Sequence, residues 1–219
     1  HEDVANALET LYQDQRIEEI SLSLARHYQV AGITQKAVDY LQIAGAWAVR
    51  LGASLQGIEH FTQALSLLLT LPEDTERQQQ ALQLQRSIGQ AYDTITHTSP
   101  EAFEAYTQAL MLARQLDDTR NIIHILCTLT GQARSSSRLD MAQRYSQESL
   151  RLAEESQDPE LLMMANVSLF SLALGSGQYS EAVSYMDAFV SFYRKVHTEL
   201  SLDDAYNLAI QLGSAGRVL

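Results

Sequence analysis

The chain has 219 residues, 46% of them hydrophobic, with 15 basic and 27 acidic side chains and a formal net charge of −12. Lys36 and Lys195 are its only lysines, a balance that opposes binding to nucleic acid or to an anionic membrane. The single cysteine, Cys127, excludes an intrachain disulfide framework and fits a reducing cytosol, and no apolar run approaches the ~18 residues of a membrane span. No signal peptide is read, but the first residue is not methionine. The chain therefore reads as a segment of a longer protein.

From the N-terminus, Glu2 to Asp14 is amphipathic. Val4, Ala7, Leu8 and Leu11 share a face, and Glu2 and Asp3 sit where a helix dipole favours acids. Ile17 to Ala31 predicts a second helix, closed by Gly32 in a left-handed cap. Thr34 is read as the cap of a third helix that runs to about Leu51. Ala37, Leu41 and Ala44 form one register on it, and Gly45 and Ala48 a second, so it can pack on both neighbours. Ser54 is read as the cap of the fourth, with Gly57, Phe61 and Ala64 at the contact. A glycine inside a helix costs about 1 kcal/mol relative to alanine, and close packing is the simplest reason for it. Leu71-Pro72-Glu73 ends this helix. The spacing of 20 residues between these helices reads as tighter than that of the C-terminal repeats.

Glu76 to Thr94 is a glutamine-rich fifth helix. Ser99, with Pro100 at the first helical position, opens the sixth, which runs to Leu116. Asp118 caps the seventh, and Asp158 with Pro159 the ninth at the matching place. Ser135-Ser136-Ser137 and Gly175-Ser176-Gly177 form the turns before the eighth and tenth helices. A last helix begins near Leu202-Asp203 and decays at Gly213 and Gly216. Valine and isoleucine never alternate with polar residues, so no strand is predicted.

The segments PEAFEAYTQALMLARQ, DMAQRYSQESLRLAEE and SEAVSYMDAFVSFYRK stand 40 residues apart. Ala102, Ala142 and Ala182 share a register, followed by Tyr106, Ser146 and Met186, then by Ala109, Ser149 and Phe189. A small residue with partners four and seven places on lets a second helix approach closely. The preceding helices offer Leu24, Ala25 and Tyr28, then Ile88, Gly89 and Tyr92, then Leu169, Phe170 and Ala173. Repetition at fixed spacing means a stacked repeat, and this register resembles the tetratricopeptide (TPR) pattern. The expected fold is all-α: a right-handed, TPR-like solenoid of helical hairpins with about eleven helices. Residues 1–72 would form an N-terminal linker helix and irregular TPR-like helices, and residues 73–219 the regular repeats, in one continuous solenoid cut at its C-terminal end. The cut end is a plausible route to a dimer.

His27-Tyr28, Ala31-Gly32, Gln35-Lys36-Ala37-Val38, Tyr40-Leu41 and Ala44-Gly45 resemble a known family, as do Glu59-His60-Phe61, Ala64-Leu65 and Leu69-Thr70-Leu71-Pro72. The family is the repeat-rich C-terminal region of bacterial multidomain signalling ATPases, whose chains often also carry an adenylate/guanylate cyclase, a protein kinase or a LuxR-type DNA-binding domain. The resemblance spans roughly residues 1 to 160 and is most specific over 25 to 72. It implies a cytoplasmic, regulatory role, with Glu2 to Leu11 as the helix joining an ATPase to the repeats.

A catalytic constellation is not found. No G-x-x-x-x-G-K-[ST] loop is present. The six histidines, His1, His27, His60, His97, His124 and His197, never take the H-x-x-x-H spacing of a zinc site. His124 and Cys127 share a helical face, but a thiol–imidazole pair also needs an orienting group and an oxyanion site; Cys127 reads as packing or groove lining. Acid pairs such as Glu18-Glu19, Asp117-Asp118 and Glu154-Glu155 fall at helix ends or on solvent faces. No enzyme activity, metal or cofactor is expected.

The concave face of such an array is lined by positions three and six before the small residue of each first helix, and one and four after it. That selects Gln83, Arg86, Gln90 and Asp93; His124, Cys127, Gly131 and Arg134; and Met164, Val167, Ser171 and Leu174. Asp204, Asn207 and Gln211 lie at the matching places on the last helix. The groove would be polar with two arginines at one end and apolar at the other, suited to an extended peptide or an amphipathic helix. Alternatively, Arg86 and Arg134 merely pair with neighbouring acids. The expected function is a non-catalytic scaffold that binds a protein, a peptide or other domains of its parent chain, with no nucleic-acid or membrane partner. The alternative is a sensor that binds a metabolite inside the superhelix and controls an attached ATPase, cyclase or DNA-binding domain.

Overall fold

A computed structural model describes residues 1–12, 17–96 and 98–196. They hold ten helices and no strand: α1 Glu2–Tyr12, α2 Ile17–Val30, α3 Thr34–Arg50, α4 Ser54–Leu68, α5 Thr75–Ile95, α6 Pro100–Gln115, α7 Thr119–Ser135, α8 Leu139–Ser156, α9 Pro159–Gly175 and α10 Tyr179–Val196. The expected last helix lies outside the described residues, as do Asp204, Asn207 and Gln211.

One turn design joins most of these helices. A residue in the left-handed region ends the helix, and the next backbone N–H reaches back five residues. Ile33 donates to Tyr28 O (2.9 Å), Ala53 to Ala48 O (2.9 Å), Asp118 to Ala113 O (3.0 Å), Arg138 to Ala133 O (2.8 Å) and Gln178 to Ala173 O (2.9 Å). This is the Schellman pattern, which satisfies a carbonyl that the helix end would otherwise leave open. The left-handed residues are Gly32 (φ 75°), Gly52 (φ 80°), Asp117 (φ 51°), Ser137 (φ 59°) and Gly177 (φ 74°). They recur at multiples of 20 within each run of helices, and helices start at 34 and 54 as at 119, 139, 159 and 179. The N-terminal helices are therefore not spaced more tightly than the rest. The 40-residue repeat is two helices of the same 20-residue spacing.

Side-chain caps occur where the N-cap residue carries a side-chain oxygen, at Asp118 within the same turn design and elsewhere outside it. Asp74 accepts from Arg77 N (2.8 Å), Asp118 from Asn121 N (3.0 Å) and Asp158 from Glu160 N (2.9 Å), while Ser99 Oγ accepts from Ala102 N (3.2 Å). Thr34 and Ser54 are not caps. Ile33 and Ala53 occupy those positions, and their apolar side chains carry no acceptor for a capping bond. Ser54 instead lies within α4 and its Oγ meets Thr94 Oγ1 at 2.6 Å, tying α4 to the end of α5.

The chain divides into two compact units, His1–Leu112 and Ala113–Leu219. In the first, each of α1 to α4 packs on the next, α4 packs on α5, and α3 also reaches α5. The core runs through Leu24, Tyr28, Val38, Leu41, Phe61, Leu68, Leu84 and Ile88. Glycine sets the closest approaches. A Cβ at Gly45 would lie 2.5 Å from the Phe61 ring, and one at Gly89 would lie 2.8 Å from the Tyr106 ring. The same exchange, a missing side chain opposite an aromatic ring, is thus made twice. At Gly57 a Cβ would meet Val49 Cγ2 at 2.5 Å and Gly45 O at 3.0 Å. α3 therefore uses both registers, Ala37 and Leu41 among the buried residues facing α2, Gly45 against α4.

In the second unit, α7 packs on α8, α8 on α9, α9 on α10, and α7 directly on α9. Contact between alternate helices is what stacks hairpins into a repeat. Every residue from Leu161 to Phe170 in α9 is buried, consistent with a helix that is apolar on nearly all sides. Asn166, a buried polar residue among them, donates to Leu162 O at 2.7 Å.

Candidate functional site

In the first unit the four groove residues read from α5 stay on the surface or near it. Gln83 and Gln90 are exposed; Arg86 and Asp93 are half-buried. Asp93 accepts a hydrogen bond from Tyr106 Oη at 2.9 Å, so it is anchored by the next helix. Burial and this negative neighbour push the Tyr106 phenol far above its ordinary range, and it remains a donor.

The α5 row is joined by a row on α3 that the repeat pattern does not select. Gln35 Nε2 donates to Gln80 Oε1 (2.7 Å) and to Asp39 Oδ1 (3.0 Å), and Gln80 Nε2 donates to the same Asp39 oxygen (2.8 Å). Gln42 Nε2 reaches Gln83 Oε1 at 3.5 Å, at the edge of hydrogen-bond distance. The result is a polar strip across two helices, built from carboxamides that each combine donor and acceptor. Gln35, Asp39 and Gln42 are spaced four and three residues apart, a helical face legible as a polar stripe. What the sequence did not show is that this stripe adjoins α5.

In the second unit the predicted positions separate by burial. His124, Gly131, Arg134 and Ser171 are half-buried and Leu174 is exposed. Cys127, Met164 and Val167 are interior, at 2%, 6% and 3% exposure. The Cys127 thiol faces Met164 O at 3.8 Å, and burial pushes it up to about 12, so it is a protonated packing group and not a nucleophile. The expected apolar floor is thus packed between helices, with Met164 in the cluster of Ile123 and Leu161 and Val167 in that of Phe170 and Met186. The reason is that α7 and α9 touch directly and bury Cys127 and Met164 between them, while Val167 packs against α10. The Arg134 side chain lies alongside the backbone of Gly175.

No group of three or more His, Cys, Asp or Glu able to hold a metal occurs among the described residues. No helix among them is long and apolar enough to cross a membrane.

No family model matches the sequence, and no curated protein matches it. Solved structures do. The apo form of RapI overlays with a TM-score of 0.69 at 13% identity, over 88% of this chain and 54% of that one. A protein of Podosopora anserina named as a kinesin light chain with nearly identical TPR-like repeats overlays at 0.57, 16% identity, over 83% and 98% of the two chains. This is a TPR-like helical-repeat fold. A Rap protein complexed with competence and sporulation factor overlays at 0.60, 13% identity, over 91% and 58%. The chain therefore spans a little over half the length of these Rap structures.

Proposed function

We propose that this chain is a non-catalytic, protein- or peptide-binding segment of a larger bacterial signalling protein. The observation that carries the reading is the polar strip of α3 and α5, where Gln42 reaches Gln83, with the exposed Gln90 and the anchored Asp93 further along α5. Carboxamides and a half-buried arginine suit the alternating N–H and C=O groups and the acidic side chains of a bound segment. The Rap protein seen with competence and sporulation factor has the same fold, which is consistent with a bound partner here. The segment's place in a signalling ATPase, and a cytoplasmic location, rest on the sequence resemblance of residues 25 to 72.

The test uses the complete parent protein and the partner it retains. Replacing Gln83 and Gln90 together by alanine should weaken that partner's affinity about thirtyfold, since each lost hydrogen bond contributes on the order of 1 kcal/mol. Both side chains are exposed, so the unfolding midpoint should hold. Unchanged affinity would remove α5 from the binding face. A large thermal stabilisation by one metabolite, without any protein partner, would favour the sensor reading instead.

A further inference from the structure

We infer that Tyr28, Lys36 and Tyr40 form a carboxylate-recognition site, and that Glu9 of α1 is its resident, displaceable occupant. The site lies apart from the polar strip. Tyr28 ends the buried face of α2, and Lys36 and Tyr40 stand one turn apart on α3. Their polar atoms converge on one carboxylate. Tyr28 Oη donates to Glu9 Oε2 at 2.5 Å, Lys36 Nζ donates to the same oxygen at 2.7 Å, and Tyr40 Oη donates to Oε1 at 2.5 Å. Lys36 also donates to Tyr28 Oη at 3.0 Å, and the Asn6 carboxamide lies 2.9 Å from that hydroxyl.

The receptor half is built independently of its occupant. The Tyr28 and Tyr40 rings stack with centroids 5.7 Å apart and 7° between planes, and Lys36 Nζ sits 4.6 Å from the Tyr28 centroid. Both rings are buried in the first unit's core, Tyr28 fully and Tyr40 to 8% exposure. Packing therefore fixes the two hydroxyls before any carboxylate arrives, which is what preorganised recognition requires. Both carboxylate oxygens are addressed, so the site reads the whole group and not a single acceptor.

The occupant is held lightly elsewhere. Of α1, only Ala5 is fully buried; Leu8, Glu9 and Tyr12 are partly buried or exposed, and Leu11 is 75% exposed. Among the described residues the backbone of α1 packs on α2, and the Glu9 side chain reaches α3. Ala5 and Leu8 join α1 to the apolar core, and the Glu9 carboxylate carries its link to α3. The ligand class is a single carboxylate carried on a helix or peptide, and a competing acidic segment would release α1.

The experiment is chemical rescue in the full chain. Glu9→Ala should lower the unfolding midpoint. Sodium acetate, compared with sodium chloride at equal ionic strength, should then raise the midpoint of Glu9→Ala saturably and leave the wild-type chain unmoved. Adding Tyr40→Phe and Lys36→Met should abolish the acetate response. A response equal to wild type, or one that survives those two changes, would overturn the proposal. If Glu9→Ala does not fold, Glu9→Gln keeps the shape and removes the charge. Its amide hydrogens over residues 2–12 should exchange at least tenfold faster while those of α3 keep their protection; unaltered protection of α1 would equally overturn it.

Discussion

At Gly45 and Gly89 a hydrogen stands where any other residue would press on an aromatic ring. Alanine would improve helix propensity by about 1 kcal/mol but force the Phe61 or Tyr106 ring to move, an overpacking cost of roughly 1–3 kcal/mol. Gly45→Ala and Gly89→Ala should each lose stability in urea unfolding, and Phe61→Leu should relieve Gly45→Ala in a double-mutant cycle. An additive cycle would mean the two residues do not press on one another. The glycines were legible in the sequence as close contacts because each stands one register from an aromatic. The burial of Met164 and Val167 was not, because the same offsets that mark a groove also mark contact with a neighbouring helix, α7 for Met164 and α10 for Val167. Only the packing of α9 on α7 and on α10 decides between them.

Glu9 supplies a pH dependence at the same scale. Hydrogen bonds from Lys36, Tyr28 and Tyr40 hold its carboxyl at about 2, against an ordinary 4.5. A depressed carboxylate contributes stability that is present above the ordinary value and lost as pH falls toward the folded one. The wild-type midpoint should therefore drop between pH 4.5 and pH 2 more steeply than that of Glu9→Gln. Parallel profiles would contradict the three-donor geometry.

At the scale of the element, helix ends divide into those closed by backbone and those closed by a side chain. Asp158 caps α9 and also meets Arg120 Nη2 at 2.6 Å. Its replacement by alanine should cost about 1–2 kcal/mol, mostly as a lost cap. At the Schellman turns the backbone itself decides. Nothing lies within 4 Å of a Cβ at Gly177, yet its φ is 74°. Gly177→Ala should therefore lose about 1 kcal/mol from conformation alone, and Ser137→Gly, at φ 59°, should be neutral or stabilising. The opposite order in thermal unfolding would contradict the turn assignment. Asp118, Asp158 and Ser99 announce themselves as caps by standing before Thr, Pro and Pro. Thr34 and Ser54 mislead because they stand two residues after the left-handed glycine, one place past the N-cap, whereas Asp118 stands one residue after Asp117 and so at the cap itself.

At the scale of the whole molecule, the 40-residue self-similarity carried the fold class, since a pattern that recurs in register cannot arise from one accidental amphipathic helix. The join between α3 and α5 was not legible, because sequence records a helix's stripe and not its neighbour. That join is what makes a surface out of Gln35, Asp39, Gln42, Gln80 and Gln83. The most direct test places a photo-crosslinking amino acid at Gln83 or Gln90 in the parent protein, with Glu59 on α4 as the control position. The retained partner should crosslink from α5 and not from α4. Equal yields from both helices, or capture only at Glu59, would contradict a binding face on α5.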